Sequence, residues 1–289
     1  MMRIPTRLRR RNLDGETGFE TMVFNAVLIM GALISLVPLY WLVRSAVMPR
    51  GDHFLTPIPL VPPRVTFRAF QALADVPHLP RQFFNTFLVV GLSTVNSLVV
   101  NTLAAYALAR MKFHGRGIVF FVFIVTVLIP TQISVVPLFL VVRELRMVDS
   151  YWGMILPLQS SGFFIFLLRQ FFLRIPQDIE DAAMLDGANR IQVLWQIILP
   201  LSRPALAVVA LTNMVWHWDD YLWPLIVTQS EEIRPAAVAI PKLMGAIYAE
   251  QDPSLAAAAL LVLTLPVVVV TLFGMDAFVK GISSGGMKQ

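Results

Sequence analysis

The chain has 289 residues, of which 57% are hydrophobic and only 14% are charged, and its formal net charge is +5. In a soluble domain about a quarter of the residues are charged, so this composition excludes an ordinary soluble globular protein. The absence of cysteine excludes a disulfide framework and thiolate chemistry. Because much of the excess positive charge lies in the N-terminal arginines, we expect contact with membrane lipid and no nucleic-acid partner.

Apolar blocks dominate the chain from residue 21 onward. They comprise residues 21–43, 82–109, 117–142, 151–168, 204–230 and 255–275. A bilayer core requires about 20 helical residues, so the pattern predicts an all-α, polytopic integral membrane protein with six transmembrane helices. The first block is too long for the apolar core of a signal peptide, and we expect it to be retained as a membrane span.

The placement of Lys and Arg predicts that the N-terminus and the C-terminus are both cytosolic. Arg3, Arg7 and residues 9–11 precede the first block, whereas the basic residues of 48–82 are spread over a longer loop. The predicted segments are a basic cytosolic segment 1–20, a first transmembrane helix 21–47, an external loop 48–82, a core of five transmembrane helices 83–280, and a cytosolic tail 281–289.

The second and third blocks carry features that bear on a solute path. Ser93, Ser97 and Asn101 recur every four residues, so they share one helical face. Small polar residues on a membrane helix favour close helix packing, and lining of a translocation path is the alternative. Pro130 and Pro137 predict a bend in the third span, since proline removes a backbone donor.

Residues 176–203 form a polar, glycine-broken stretch between two apolar blocks. Pro176 ends one helix, and Asp178 is predicted to cap the next. Gly187 suits a left-handed turn. A second short helix is predicted over 189–198, ending at Leu199 and Pro200. The pattern indicates a helix–turn–helix elbow at the cytosolic surface, and an ordinary amphipathic interfacial hairpin is the alternative.

The spacing within this elbow resembles the "EAA" loop of ABC importer permeases. Residues 181–183, Gly187, Ile197 and residues 199–200 fit that pattern at every offset, with Asp181 in the position usually occupied by Glu. Further segments resemble MalG-type sugar permeases, namely 104–110, 129–132, 136–139, 148–153, 166–172, 216–225 and 281–288. The resemblance covers about residues 20–289. Asp219 departs from it where Asn is common, and Asp276 departs near a usual basic position.

The resemblance implies the permease subunit of a type I, binding-protein-dependent ABC importer for carbohydrate, in a bacterial or archaeal plasma membrane. Its expected partners are a second, different permease subunit, two ATPase subunits and an external solute-binding protein, which can be a lipoprotein. The residues expected to couple to an ATPase are Asp181, Ala182, Ala183, Asp186, Gly187, Ala188, Ile197, Leu199 and Pro200. The sequence has no Gly-x-x-x-x-Gly-Lys-Ser/Thr phosphate loop, so ATP and Mg are expected in the partners and this chain is expected to be no enzyme.

Asp219 and Asp220 are the only carboxylates inside an apolar block. A charge inside a membrane span is costly, so we expect one of them to face an aqueous cavity. With Trp218, Ser97 and Asn101 they form the predicted translocation pathway, although tryptophan also belongs to ordinary interfacial belts. The histidines are scattered and show no metal-ligand spacing, so no metal site is expected.

The loop between the fifth and sixth blocks, residues 231–253, is predicted to be external. By resemblance it contacts the binding protein through Lys242, Met244, Gly245 and Tyr248. A solvated connector is the alternative. Met244 and Tyr248 lie four residues apart and could share one face of a short helix. Two other functions stay open at this point: a secondary transporter, and an intramembrane enzyme that uses Asp219 and Asp220.

Overall fold

The computed structural model describes residues 18–249 and 252–286, and regular structure in these residues is helical throughout. We number the α-helices in chain order. They are α1 (Gly18–Val47), α2 (Arg68–Ala74), α3 (Leu79–Arg110), α4 (Arg116–Leu128), α5 (Thr131–Glu144), α6 (Tyr151–Ile155), α7 (Gly162–Leu173), α8 (Gln177–Leu185), α9 (Arg190–Val193), α10 (Leu199–Leu201), α11 (Arg203–Asp219), α12 (Leu222–Val227), α13 (Ala236–Ala249) and α14 (Pro253–Gly286).

In the described residues, α1, α3 and α14 each contain an apolar stretch long enough to cross a membrane unbroken. The third predicted span is bent by 107° between α4 and α5. This break lies at Ile129 and Pro130, because a residue before proline avoids the helical conformation and proline has no amide to donate. The bend predicted at Pro130 is therefore confirmed, whereas Pro137 stays inside α5.

Two further predicted spans, the fourth and the fifth, are also not single helices. The fourth is divided into α6 and α7, because residues 156–161 leave the helix and Ser161 caps the start of α7 by accepting from the amide of Phe164. Gly162 lies so close to α4 that a Cβ there would overlap the carbonyl oxygen of Phe123. The fifth ends at Asp219 and resumes as the short helix α12. Counting α4 with α5 as one span, and Arg190–Leu201 with α11 as another, gives at most five candidate spans among the described residues.

The segment that joins α1 to α3 is more ordered than predicted. It contains a 3₁₀ helix over Arg50–Phe54 as well as α2, and an ion pair of 2.6 Å joins Arg64 to Asp52. The second span begins at Leu79, earlier than the predicted start near residue 83, because Pro80 suits the first helical turn.

The helix α3 connects two ends of the bundle. The last residue of α3, Arg110, lies against α8, and we call this end of the bundle the elbow end. The first residue of α3, Leu79, packs with α13 at the opposite end. An apolar cluster that includes Leu108, Phe172, Val193 and Ile198 lies beneath the elbow. A second cluster packs α13 on α14 at the opposite end. The last helix continues to Gly286, so the backbone of 281–286, which was predicted as part of the cytosolic tail, is helical, and residues 287–289 lie outside the described part.

Candidate functional site

The elbow is a helix–turn–helix built on Gly187. This residue follows α8 with a φ of 91°, a left-handed conformation that favours glycine. The amide of Gly187 donates to the carbonyl of Met184 at 3.1 Å, and the amide of Ala188 donates to the carbonyl of Ala183 at 3.0 Å. This pair of bonds is a Schellman motif, which satisfies carbonyls at the end of a helix. The turn predicted at Gly187 is confirmed.

The first arm of the elbow begins differently from the prediction, whereas the second begins where it was predicted. Pro176 is the residue before α8 and makes no side-chain cap, so the predicted cap by Asp178 is wrong. Asp178 lies instead in the first turn, where a negative charge is favourable beside the helix dipole. The second arm begins at Asn189, whose side chain and backbone exchange hydrogen bonds with Gln192 in a capping box.

The second arm also extends further than expected. After α9 the chain forms a π turn over Leu194–Ile198 and continues through Leu199 and Pro200 to the end of α10. An 81° bend separates Arg190–Leu201 from α11. The predicted end at Leu199 and Pro200 is therefore one residue too early. Pro200 lies in the first turn of α10, which begins at Leu199, and proline is acceptable in a first turn.

The predicted coupling residues divide into an exposed and a packed set. Asp181, Ala182, Asp186 and Gly187 are exposed on the elbow. The others are half-buried, and several pack on the apolar cluster beneath; they are Ala183, Ala188, Ile197, Leu199 and Pro200. The packed residues hold the elbow on the bundle, and the exposed ones are available to a partner.

Sequence reasoning missed the apolar side chains that the elbow exposes. Leu185 is 89% exposed, Ile191 69% and Trp195 62%. Exposed apolar patches of this kind mark interaction surfaces. The available signal was the position of Leu185 immediately before the turn at Asp186 and Gly187, where an apolar side chain has little core to enter.

A buried ion pair lies beneath the elbow. Arg110 Nε lies 2.7 Å from Glu180 Oε1, and the two side chains are only 8% and 5% exposed. The Nη2 group of Arg110 also donates to the carbonyls of Phe172 and Ile175, each at 2.6 Å. Burial raises the pKa of the Glu180 carboxyl, and the guanidinium of Arg110 opposes that shift. One side chain thus joins α3, the end of α7 and α8.

The stripe predicted as part of a translocation pathway lies inside the subunit. Ser97 and Asn101 are 1% and 0% exposed. The Asn101 amide donates to Ser97 Oγ at 2.9 Å and to the carbonyl of Gln159 at 2.8 Å, and it accepts from the amide of Ser161. Asn213 on α11 donates to the same Ser97 hydroxyl at 2.9 Å. This network corrects the pathway prediction, because it places both residues in helix packing.

Trp218 is likewise a packing residue and no wall of a pathway. It is 3% exposed, its indole Nε1 donates to the carbonyl of Leu263 on α14 at 3.0 Å, and its ring meets Phe87 edge-on. The sequence showed that Trp218 is next to Asp219 and Asp220 in one predicted span. It did not show that the Trp218 side chain packs against α14.

Asp219 and Asp220 lie where α11 ends. Asp219 is exposed. Asp220 is half-buried, and its carboxylate accepts from the backbone amide of Trp223 at 3.3 Å. Asp220 therefore caps the first turn of α12, whereas Asp219 is free to meet a cavity or a neighbouring subunit. Of the residues predicted for the pathway, Asp219 alone keeps an exposed side chain.

The residues predicted to contact a binding protein lie on α13 and differ in their exposure. Lys242 and Gly245 are exposed, and Lys242 Nζ lies 2.7 Å from Glu231 Oε1. Met244 is 7% exposed and belongs to the apolar cluster with α14, so it cannot present a surface to a partner. The side chain of Tyr248 lies outside the described part of the structure.

Glu231 is the centre of a charged cluster at the opposite end. Hydrogen bonds from Lys242 and then Arg234 lower the pKa of the Glu231 carboxyl. Gln82 on α3 also donates to this carboxylate at 3.2 Å. In the described ranges, 18–249 and 252–286, no three His, Asp or Glu side chains are grouped so that they could hold a metal ion.

Comparison with known proteins agrees with this architecture. Residues 101–284 match the family "Binding-protein-dependent transport system inner membrane component". The chain is 31% identical over 279 residues to the sn-glycerol-3-phosphate transport system permease protein UgpE of Yersinia enterocolitica, with 94% of this chain and 97% of that protein covered. It is 30% identical to the protein of the same name from Salmonella typhimurium, with 91% and 95% covered.

Solved structures give the same result. A bacterial ABC transporter involved in the import of the acidic polysaccharide alginate is similar with a TM-score of 0.80 and 26% identity, covering 89% of this chain and 96% of that chain. The alginate transporter in complex with an alginate pentasaccharide-bound periplasmic protein shares the fold at a TM-score of 0.58 and 18% identity. The recognition as an ABC importer permease is confirmed, and this multi-pass membrane protein belongs to the family of binding-protein-dependent transport system inner membrane components.

Proposed function

We propose that this chain forms half of the translocation pathway of an ATP-driven importer and couples it to an ATPase through the elbow. The observation that carries the proposal is the elbow itself, a rigid turn at Gly187 that exposes Leu185 while its other face packs on the bundle. The proposed complex contains two ATPase subunits, which hold ATP and Mg, and a second, different permease subunit.

The exposed elbow surface suits a groove on an ATPase. It combines apolar side chains, which gain by burial, with the carboxylates of Asp181 and Asp186. Interfaces of lasting complexes have an apolar centre and a polar rim, and the elbow offers both. This orientation makes the elbow end cytosolic, in agreement with the distribution of basic residues.

The second permease subunit would cover exposed surface in the membrane region. Asp219 supports this arrangement, because a carboxylate on a membrane helix is costly against lipid and is accommodated by a water-filled cavity or a polar neighbour. Trp216, which is 52% exposed and stacks on Phe164, lies three residues earlier on the same helix. An aromatic face beside a carboxylate suits a polyhydroxylated solute.

We propose a sugar or a sugar-like solute. Relatives named for sn-glycerol-3-phosphate and a structural neighbour named for alginate support this class, since both solutes are rich in hydroxyl groups. The binding protein would deliver the solute at the opposite end, where α13 exposes Lys242 and Gly245.

The test is reconstitution of the complex in liposomes with and without the ATPase subunits. Binding assays of the purified binding protein against disaccharides, amino sugars and glycerophosphodiesters first identify the solute. Uptake of that solute should require ATP and should disappear when the ATPase is omitted. Uptake that persists without the ATPase, driven by an ion gradient, would contradict the proposal and favour a secondary transporter.

A further inference from the structure

The buried Arg110–Glu180 pair stands out because it joins the elbow to a membrane helix rather than to a neighbour in sequence. Both side chains are almost fully buried, with the charged atoms 2.7 Å apart. A buried ion pair is weak evidence of stability, because desolvation offsets much of the attraction. Its geometry is restrictive, however, since the guanidinium fork also donates to two carbonyls at the end of α7.

A second polar contact ties α3 to the other arm of the elbow. The hydroxyl of Tyr106, one turn before Arg110, donates to the carbonyl of Arg190 at 3.3 Å. The last turn of α3 is therefore bonded to α8 through Arg110 and to α9 through Tyr106. A movement of either arm acts on the same helix end.

The same helix is bonded at two further levels. Near its middle, Asn101 and Ser97 bond to residues before α7 and to Asn213 on α11. At the opposite end, Asn85 donates to the carbonyls of Glu232 and Arg234, and Thr86 accepts from the amide of Ala236. From Asn85 to Arg110 a straight helix would measure about 37 Å at ~1.5 Å per residue.

We infer that Arg110 is a positioning residue that fastens the elbow to α3, so that the two move as one rigid body and α3 carries the movement across the membrane. This inference rests on the proposed docking of an ATPase at the elbow. The ATPase displaces α8, the guanidinium holds α8 to the end of α3, and α3 transmits the displacement to the segment before α13. Without the guanidinium, α8 loses its polar link to α3 and can be displaced relative to it, while Tyr106 still bonds α3 to α9.

The chain is well suited to a distance measurement, because it has no cysteine. Two spin labels can be attached to cysteines introduced in place of exposed residues. The pair Asp178 and Lys112 reports the distance between the elbow and the end of α3, and the pair Lys112 and Thr21 reports the position of α3 relative to α1. Both distances are measured in the full complex in nanodiscs, before and after addition of a non-hydrolysable ATP analogue.

In the unmodified chain, the first distance should be unchanged by the analogue and the second should shift. In Arg110→Gln, the first distance should shift and the second should shift less than in the unmodified chain, while the ATPase still co-purifies. A merely structural role for Arg110 would leave the pattern of the two distances as in the unmodified chain. Because Arg110→Gln leaves a buried carboxylate unpaired, the double variant with Glu180→Gln is measured as well, and it should behave in the same way.

Two results would overturn the inference, and they are distinguishable. If the ATPase is bound and the elbow moves relative to α3 in the unmodified chain, the rigid link is refuted while the proposed function stands. If the ATPase does not bind the elbow at all, the proposed function fails and the inference fails with it.

Discussion

The elbow and α13 lie at opposite ends of the bundle, and their surfaces differ. At the elbow end, the apolar side chains of Leu185, Ile191 and Trp195 are exposed, while the charges of Arg110 and Glu180 are buried. In the proposed complex these apolar side chains lie at the cytosolic surface, where burial against an ATPase would stabilise the contact.

On α13, at the opposite end, the arrangement is reversed. The helix α13 buries Ile240 and Met244 against α14, and it exposes Lys242 beside Glu231. Charged rims contribute more to the rate of encounter than to the affinity of a complex. This difference agrees with the proposed function, in which an ATPase stays bound at the elbow and a binding protein arrives and leaves at α13.

The largest expected effect is that of Gly187→Leu. A residue with a Cβ at a φ of 91° is strained by about 1–2 kcal/mol, and the turn that orients the elbow would be displaced. We expect the subunit to reach the membrane but to lose transport entirely. The matched control is Gly115→Leu, because Gly115 also has a positive φ, 81°, and open space around it but lies outside the elbow.

Uptake assays and ATPase co-purification check this prediction. Transport that survives Gly187→Leu with normal assembly would refute the elbow as the coupling element. Equal loss in Gly115→Leu would show that backbone strain alone, and not the elbow surface, causes the defect.

A smaller effect is expected for Leu185→Ala. This side chain is 89% exposed here, and its burial in an interface is worth about 2 kcal/mol. Affinity for the ATPase should fall about tenfold or more, measured by titration of the detergent-solubilised subunit. Leu60→Ala serves as the control, since Leu60 is 71% exposed but lies in the segment between α1 and α2. A similar loss of affinity in both variants would argue against a specific apolar contact.

Between the two ends, Asn101→Ala and Asp219→Asn should have contrasting effects. Asn101 makes buried hydrogen bonds, so its removal should cost about 1–3 kcal/mol of stability and leave the solute preference unchanged. Asp219 is exposed, so its change should leave thermal stability unaltered and change the relative uptake of neutral and charged solutes. Thermal unfolding and competition uptake measure the two properties. If Asn101→Ala changed the solute preference without lowering thermal stability, Asn101 would have to be placed in the pathway again.

The smallest effect concerns α13. Photo-crosslinkers at Lys242 and Gly245 should capture the binding protein, most strongly in the complex trapped with a non-hydrolysable ATP analogue. The buried position of Met244 is the internal control and should give no such product. Lys242→Ala should slow association a few-fold and weaken its dependence on salt. Crosslinks only to lipid or to the second permease would remove α13 from the binding-protein interface.

Much of the elbow could be predicted from sequence, because its backbone is determined locally. Glycine is favoured where a helix ends in a left-handed residue, so Gly187 predicted the turn, and the spacing of Asp181, Gly187 and Pro200 identified the family. The predicted cap at Asp178 failed, because α8 already begins at Gln177 and Asp178 lies within its first turn; exact helix ends are the part of a helix that a sequence pattern determines least well.

The sequence by itself determined the apolar blocks, the bend at Pro130 and the turn at Gly187, because run length and local backbone preference require no distant partner. The tertiary structure alone decided that Asn101 and Trp218 face neighbouring helices and that Arg110 meets Glu180. Helical periodicity assigns a residue to a face, and only the packing of one helix on another decides whether that face meets protein, lipid or water.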